Sequence, residues 1–248
     1  MTERPPIEVL AEIDSTNAEV LRRIAQGRTD AHWLVALRQT AGRGRRARGW
    51  ESPQGNLFAT LLLPLEVAPH QAATLSFVAA LAVMDVLDSL VGPAQVTLKW
   101  PNDVMVAGRK AVGILLESDW SRDGGLMMAL GVGINLAHAP AAPERPAIAL
   151  AELGIIPPSP QDAAARLAAA FAARFETWRM QGFAATRAAW LARAQGLGGQ
   201  VVARLTLRTH EGVFEDLDET GALVLREGCG KRRLITAADV FFPDERQA

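Results

Sequence analysis

Residues 42–50 read Gly-Arg-Gly-Arg-Arg-Ala-Arg-Gly-Trp, with four arginines on a stretch opened by Gly42, Gly44 and Gly49. Guanidinium forks and backbone N–H groups in such a loop can surround a compact carboxylate or phosphate. The glycines let the chain approach that anion closely. A solvated basic loop or an RNA-binding patch would read the same way, and the Walker order GxxxxGK[ST] is absent. Residues 99–103, Lys-Trp-Pro-Asn-Asp, place an amide and a carboxylate on a proline turn. An Asn can donate to and accept from an adenine edge, and an Asp can bind Mg²⁺ or orient an amine. An ordinary surface turn has the same composition. In residues 108–117, GRKAVGILLE, Lys110 opens an apolar stretch. Its stem can pack while its ammonium projects into a cleft; a hairpin with exposed charges is the alternative. Residues 131–136, GVGINL, set glycines in a strand, which allows close backbone approach or marks a bulge in the core.

Positive charge is unevenly divided. Lys and Arg total 26, yet the lysines are Lys99, Lys110 and Lys231 alone. A lysine kept in so arginine-rich a chain suggests a site where a compact ammonium fits between several oxygens and a planar fork does not. The formal net charge is −1, so no global field draws the chain to nucleic acid or an anionic membrane. Hydrophobic residues make up 49% of the chain, enough for a real core. The single cysteine, Cys229, excludes an internal disulfide and a cysteine-rich zinc site and fits a reducing cytoplasm. The opening MTERPPIEVLAEID has no signal-peptide pattern. No apolar stretch reaches the roughly 18 uncharged residues of a membrane span.

The elements that must position these groups follow from periodicity. Residues 7–13 and 33–37 read as strands. Ser15-Thr16 opens a helix in which Thr16 and Glu19 form a capping-box pattern and Gly27 is the stop. Residues 40–55 are a loop, and 57–63 are a buried strand. Residues 69–90 read as one long helix. A strand at 96–100 precedes a hairpin in which 104–106 and 111–117 flank the turn Ala107-Gly108-Arg109-Lys110. Residues 126–136 are another strand and 140–146 a loop. Residues 161–181 and 183–194 are helical, with Leu167, Phe171, Phe175 and Trp178 on one face. After residues 196–199, Gly-Leu-Gly-Gly, short strands at 201–207, 212–217, 223–226 and 232–235 indicate a compact barrel. The fold class is therefore α+β: a mixed-sheet domain over residues 1–195, then a small C-terminal β-barrel over 196–248.

Taken in order, the GRGRxxRxW-type loop, KWPND, GRKxxGIL and GxGxN segments closely resemble the catalytic domain of biotin–protein ligases. Ser15-Thr16-Asn17 and Gln39-Thr40 match that family's upstream biotin-pocket segments. The resemblance spans roughly residues 7–240, and Ala47 departs from it where bacterial relatives usually carry Gly. It implies the mixed β-sheet of the class II synthetase-like, biotin–lipoate ligase type.

By the same resemblance, Ser15, Thr16 and Gln39 hydrogen-bond the biotin ureido ring, and Asn17 also binds biotin. Gly42, Arg43, Gly44, Arg45, Lys110 and Gly113 enclose biotin and the phosphate. Arg46, Arg48, Trp50, Lys99, Asn102 and Asn135 serve ATP, together with Arg45. Lys110, Arg45 and Asp103 are the implied catalytic residues, with Asp103 binding metal or orienting the incoming lysine. The implied reaction joins the biotin carboxylate to the α-phosphorus of ATP and expels pyrophosphate, with Mg²⁺ neutralising the leaving group. A neutral lysine of a biotin carboxyl carrier domain then attacks biotinyl-AMP. Loop 40–54 would be mobile when empty and would close over that anhydride.

The pocket motif starts at Ser15, so a monofunctional ligase without a DNA-binding domain is expected, with no DNA or membrane partner and with a homodimer allowed. The rivals are a lipoate or octanoate ligase or transferase on the same fold, and a nucleic-acid-binding regulator using loop 42–50.

Overall fold

A computed structural model describes residues 4–141 and 146–242, apart from the side chain of Ala47. The first three residues, most of the expected loop 140–146 and the end of the expected 196–248 module lie outside the described residues.

A seven-stranded sheet carries the site. It contains β1 (Ile7–Leu10), β2 (His32–Ala36), β3 (Leu57–Leu65), β4 (Val96–Lys99), β5 (Asp103–Val106), β6 (Arg109–Trp120) and β7 (Leu126–Ile134). Their order is β1-β2-β3-β7-β6-β5-β4, with β1 parallel to β2 and the remaining pairs antiparallel.

Strand alternation gives the sheet two faces. Trp33, Val35, Leu57, Ala59, Leu61 and Leu63 point to one face. That face is covered by α3 (Leu75–Val91) and α4 (Pro160–Leu191). Leu34, Leu62, Met127 and Ala129 point to the other, where Val20 and Ile24 of α1 (Thr16–Ala25) seal them. Both faces of β3 are thus buried, which is why its sequence is an almost unbroken apolar run. α1 covers only part of its face, and the uncovered floor beside its N-terminus becomes the cleft.

The long helix expected at 69–90 is two segments, α2 (Pro69–Ala73) and α3, abutting at Thr74. Thr74 accepts a hydrogen bond from Trp178 Nε1 at 2.9 Å, which ties this joint to α4. Residues 69–91 are long and apolar enough to cross a membrane by composition alone, but 67% of the span's most apolar window is buried inside the fold. α4 breaks at Gly182 (φ 70°), where the sequence reading separates its two helices. Leu167, Phe171, Phe175 and Trp178 are all buried, with Phe175 stacked between the other two rings.

The helix cap differs from expectation. Ser15, not Thr16, is the N-cap, accepting from Ala18 N at 3.4 Å. Glu19 pairs with Arg22 and Arg23 instead of closing a capping box. Thr16 is thereby released to face the cleft.

The C-terminal strands are β8 (Gln200–Arg204), β9 (Thr209–Leu217), β10 (Leu223–Arg226), β11 (Arg232–Ile235) and β12 (Asp239–Phe241). They form one antiparallel sheet ordered β11-β10-β9-β8-β12. β12 has no counterpart in the sequence reading. Phe214, Leu223, Leu225 and Val240 join the same continuous core as the large sheet. Trp100 Nε1 donates to Gly221 O at 3.0 Å, and Arg187 binds both Leu217 O and Asp216.

Candidate active site

A cleft of about 360 Å³ opens on the α1 face, lined from α1, the arginine loop, β5, β6, β7 and β12. It is the size of a small-molecule site.

One end is a buried polar knot. Ser15, Thr16 and Asn17 are 2–4% exposed at the N-terminus of α1. Gln39 Oε1 accepts from Thr16 N at 2.8 Å and from Thr16 Oγ1 at 3.1 Å, while its Nε2 donates to Ser52 Oγ at 2.8 Å. One Gln39 amide hydrogen is left for a ligand. Thr60 of β3 donates to Asn17 Oδ1 at 2.7 Å and lies 2.8 Å from Thr16 Oγ1. Asn17 Nδ2 donates to Glu117 Oε2 at 3.0 Å. Asn17 has this room only because position 131 is glycine: a Cβ there would stand 2.1 Å from Asn17 Oδ1.

The β5–β6 hairpin brings the charges together. Ala107 (φ 48°) and Gly108 (φ 73°) make a tight two-residue turn, so Arg109 and Lys110 belong to β6 and not to the turn. Asp103 pairs with Gly113 and Met105 with Lys110, with a register shift between Val104 and Met105. In a regular ladder Lys110 would face away from Asp103. The extra residue turns Lys110 onto the face shared by Asp103, Met105 and Gly113, a common use of a bulge beside a site. Lys110 Nζ then lies 2.6 Å from Asp103 Oδ1, off-line for a hydrogen bond, and 5.5 Å from the centre of the Trp50 ring.

The arginine loop folds into a compact knuckle. Gly44 N donates to Arg48 O and Trp50 N to Gly42 O. Arg43 reaches Glu117 at 2.6 Å, and Arg45 Nη1 donates to Asn102 Oδ1 at 3.1 Å. Arg46 and Arg48 both reach Asp239 of β12. Burial pushes the Arg45 guanidinium below its ordinary value, while the Asp103 and Asp239 carboxylates pull it back up. An arginine remains charged through the physiological range all the same. The other Asn102 group donates to Ile114 O at 2.5 Å, so this side chain braces Arg45 against β6. Arg45 and Lys110 are therefore held by consecutive residues on one wall.

Trp50 lies on the cleft floor. A Cβ at Gly113 would come within 2.8 Å of its ring and one at Gly133 within 2.7 Å of its Nε1. Among the described residues, Trp50 Nε1 and Asn135 Nδ2 are buried donors without a protein partner. Such groups are rare in native folds and suit a ligand that brings acceptors. The Lys99 ammonium sits 4.9 Å above the Phe242 ring. Among the described residues no three His, Cys, Asp or Glu side chains cluster to cage a metal. Magnesium, however, commonly needs one carboxylate when phosphates supply its other oxygens, and Asp103 fits that part. Thr60, Ser52, Glu117 and Asp239 were missed by sequence reasoning; of these only Thr60, a lone hydroxyl in an apolar run, gave a signal.

The chain matches the biotin/lipoate A/B protein ligase family over residues 9–135 and the biotin protein ligase C-terminal domain over residues 196–242. It is 45% identical to the biotin–[acetyl-CoA-carboxylase] ligase of Paracoccus denitrificans, covering 94% of this chain and 99% of that one. It is 36% identical to the enzyme of the same name from Mycobacterium tuberculosis, covering 94% and 88%. The biotin protein ligase of Aquifex aeolicus, solved with biotin and ATP, superposes with a TM-score of 0.78 at 25% identity, covering 96% of this chain and 99% of that one.

Proposed function

The chain belongs to the biotin/lipoate A/B protein ligase family, and from that premise we propose how its site performs the reaction. It is a biotin–protein ligase, which activates biotin with ATP as biotinyl-5′-AMP and then biotinylates an acceptor lysine. The acceptor is the carrier domain of a biotin-dependent carboxylase, as the names of its relatives imply. On this reading the enzyme works in the cytoplasm.

The observation that carries the residue assignment is the shared wall: Arg45 on Asn102 and Lys110 beside Asp103, both facing one cleft. In the first step a biotin carboxylate oxygen attacks the α-phosphorus, and two anions must meet. Arg45 and Lys110 supply positive charge where the new bond forms, in a site partly closed to water, where such charges stabilise most. Lys110 leaves Asp103 to reach the junction. Asp103 is then free to contact the Mg²⁺ that accompanies ATP or to orient the acceptor amine. Magnesium supplies charge neutralisation for the leaving pyrophosphate. Arg43 and Gly44 flank biotin, and Gly113, having no Cβ, gives the Trp50 ring room on the cleft floor. Asn135, Lys99, Arg48 and Trp50 line the cleft and serve its nucleotide end, whereas Arg46 is not part of the lining and binds Asp239. In the second step a neutral lysine attacks the acyl carbon and AMP departs.

The polar knot favours biotin over lipoate. A ureido ring both donates and accepts, so it can use the Gln39 amide hydrogen and the hydroxyl lone pairs of Ser15 and Thr16 that the knot leaves over; a dithiolane can use neither. The test is incubation with ATP, Mg²⁺, a carrier domain and either biotin or lipoate, read by intact mass. Biotin alone should add mass to the carrier. Modification by lipoate, or none with biotin, overturns the reading.

A further inference from the structure

We propose that Asp239, on β12 of the C-terminal sheet, is a positioning residue for the adenylation step: it latches the arginine loop so that Arg45 is presented to the reacting groups. The inference rests on the reading of the cleft given above and assigns the C-terminal module a part in it.

A single oxygen, Asp239 Oδ2, takes hydrogen bonds from Arg48 Nη2 at 2.6 Å and Arg46 Nη1 at 3.2 Å. The Asp239 side chain is only 15% exposed, so water screens these bonds less than ordinary surface pairs. Arg46, one of the two latched arginines, holds its own backbone at φ 57°, ψ 39°, a left-handed conformation that a residue with a Cβ resists. Arg45 instead donates to Asn102. Three neighbouring arginines also repel one another, and the Asp239 carboxylate opposes that repulsion at Arg45. A strained, self-repelling loop requires an outside restraint, and the restraint comes from a residue nearly two hundred positions away. The module therefore sets the loop's position, and through it the placement of a catalytic charge, without touching the reacting atoms.

The test compares full-length wild type with Asp239→Asn and Asp239→Glu. Three readouts are needed: biotin-dependent exchange of labelled pyrophosphate into ATP, trypsin cleavage within residues 43–48 without ligands, and thermal melting. Asp239→Asn should raise KM for ATP about tenfold with a smaller fall in kcat, and speed loop cleavage about tenfold, with melting little changed. Asp239→Glu should recover most of both effects. Wild-type KM and cleavage in Asp239→Asn overturn the latch. So does a fall in melting temperature with unchanged kinetics per folded molecule, or failure of Glu to recover what Asn loses. The cleavage readout does not depend on activity. Wild type without any exchange would therefore sink the ligase reading and leave the latch to be judged by cleavage alone.

Discussion

Gly131→Ala isolates the packing argument at the biotin end. The added methyl carbon would lie 2.1 Å from Asn17 Oδ1 and 2.9 Å from Asn17 Cγ, so Asn17 must move. Moving it breaks the bond from Thr60 at 2.7 Å and the bond to Glu117 at 3.0 Å. Overpacking of this kind costs about 1–3 kcal/mol. For a chain of this size that lowers Tm by roughly 2–12 °C. Loss of one well-placed polar contact to the ligand should also raise KM for biotin about tenfold. KM for ATP should change little, because Asn17 belongs to the opposite end of the cleft. Calorimetry and pyrophosphate exchange at varied biotin measure both effects. Gly133→Ala is the control: its methyl strikes the Trp50 indole at 2.7 Å and should act on the loop and nucleotide side instead. A Gly131→Ala protein with wild-type Tm and wild-type biotin KM would refute the reasoning.

Three further outcomes follow from the same geometry. Lys110→Ala should slow biotin-dependent exchange about 10²–10³-fold without unfolding the chain, and Lys110→Arg should not restore it, since a planar fork cannot replace a compact ammonium between Asp103 and Trp50; near-normal exchange removes Lys110 from the mechanism. Trp100→Phe deletes the donor to Gly221 O and leaves that buried carbonyl unpaired, which should cost about 1–3 kcal/mol in urea denaturation; an unchanged midpoint denies the contact. The Arg22 guanidinium holds the Asp14 carboxyl at about 2 against an ordinary 3.8. Asp14 is thus depressed in the folded chain, so its stabilisation is present above about pH 4 and fades as pH falls through 2. Asp14→Asn should flatten the stability profile in that window, and an identical profile would contradict the pairing.

The sequence exposed the chemistry better than the geometry. The arginine loop, the proline turn, Lys110 and the glycine strand are local runs, and local runs can be read. What escaped depends on partners distant in sequence. Asp239 sits in a three-residue strand without periodicity, and its arginine partners are 191 and 193 positions away. The bulge that turns Lys110 toward Asp103 is a matter of register, which alternation alone cannot reveal. The Thr16–Glu19 spacing marks Thr16 as a cap, but Ser and Thr both cap helices and the sequence does not separate them; the Ser15 bond to Ala18 N and the Gln39 contact to Thr16 do. The break at Gly182 was legible because only glycine adopts its backbone conformation cheaply. The break at Thr74 carries no such mark.

A double-mutant cycle on the rate of biotinyl-AMP formation probes most directly whether two cations act on one junction. The proteins are wild type, Arg45→Ala, Lys110→Ala and the double variant, each with saturating ATP and biotin. Charges that serve the same developing bond act as a unit, so the double variant should be little slower than the worse single one. Losses that simply multiply would mean that Arg45 and Lys110 work on separate events.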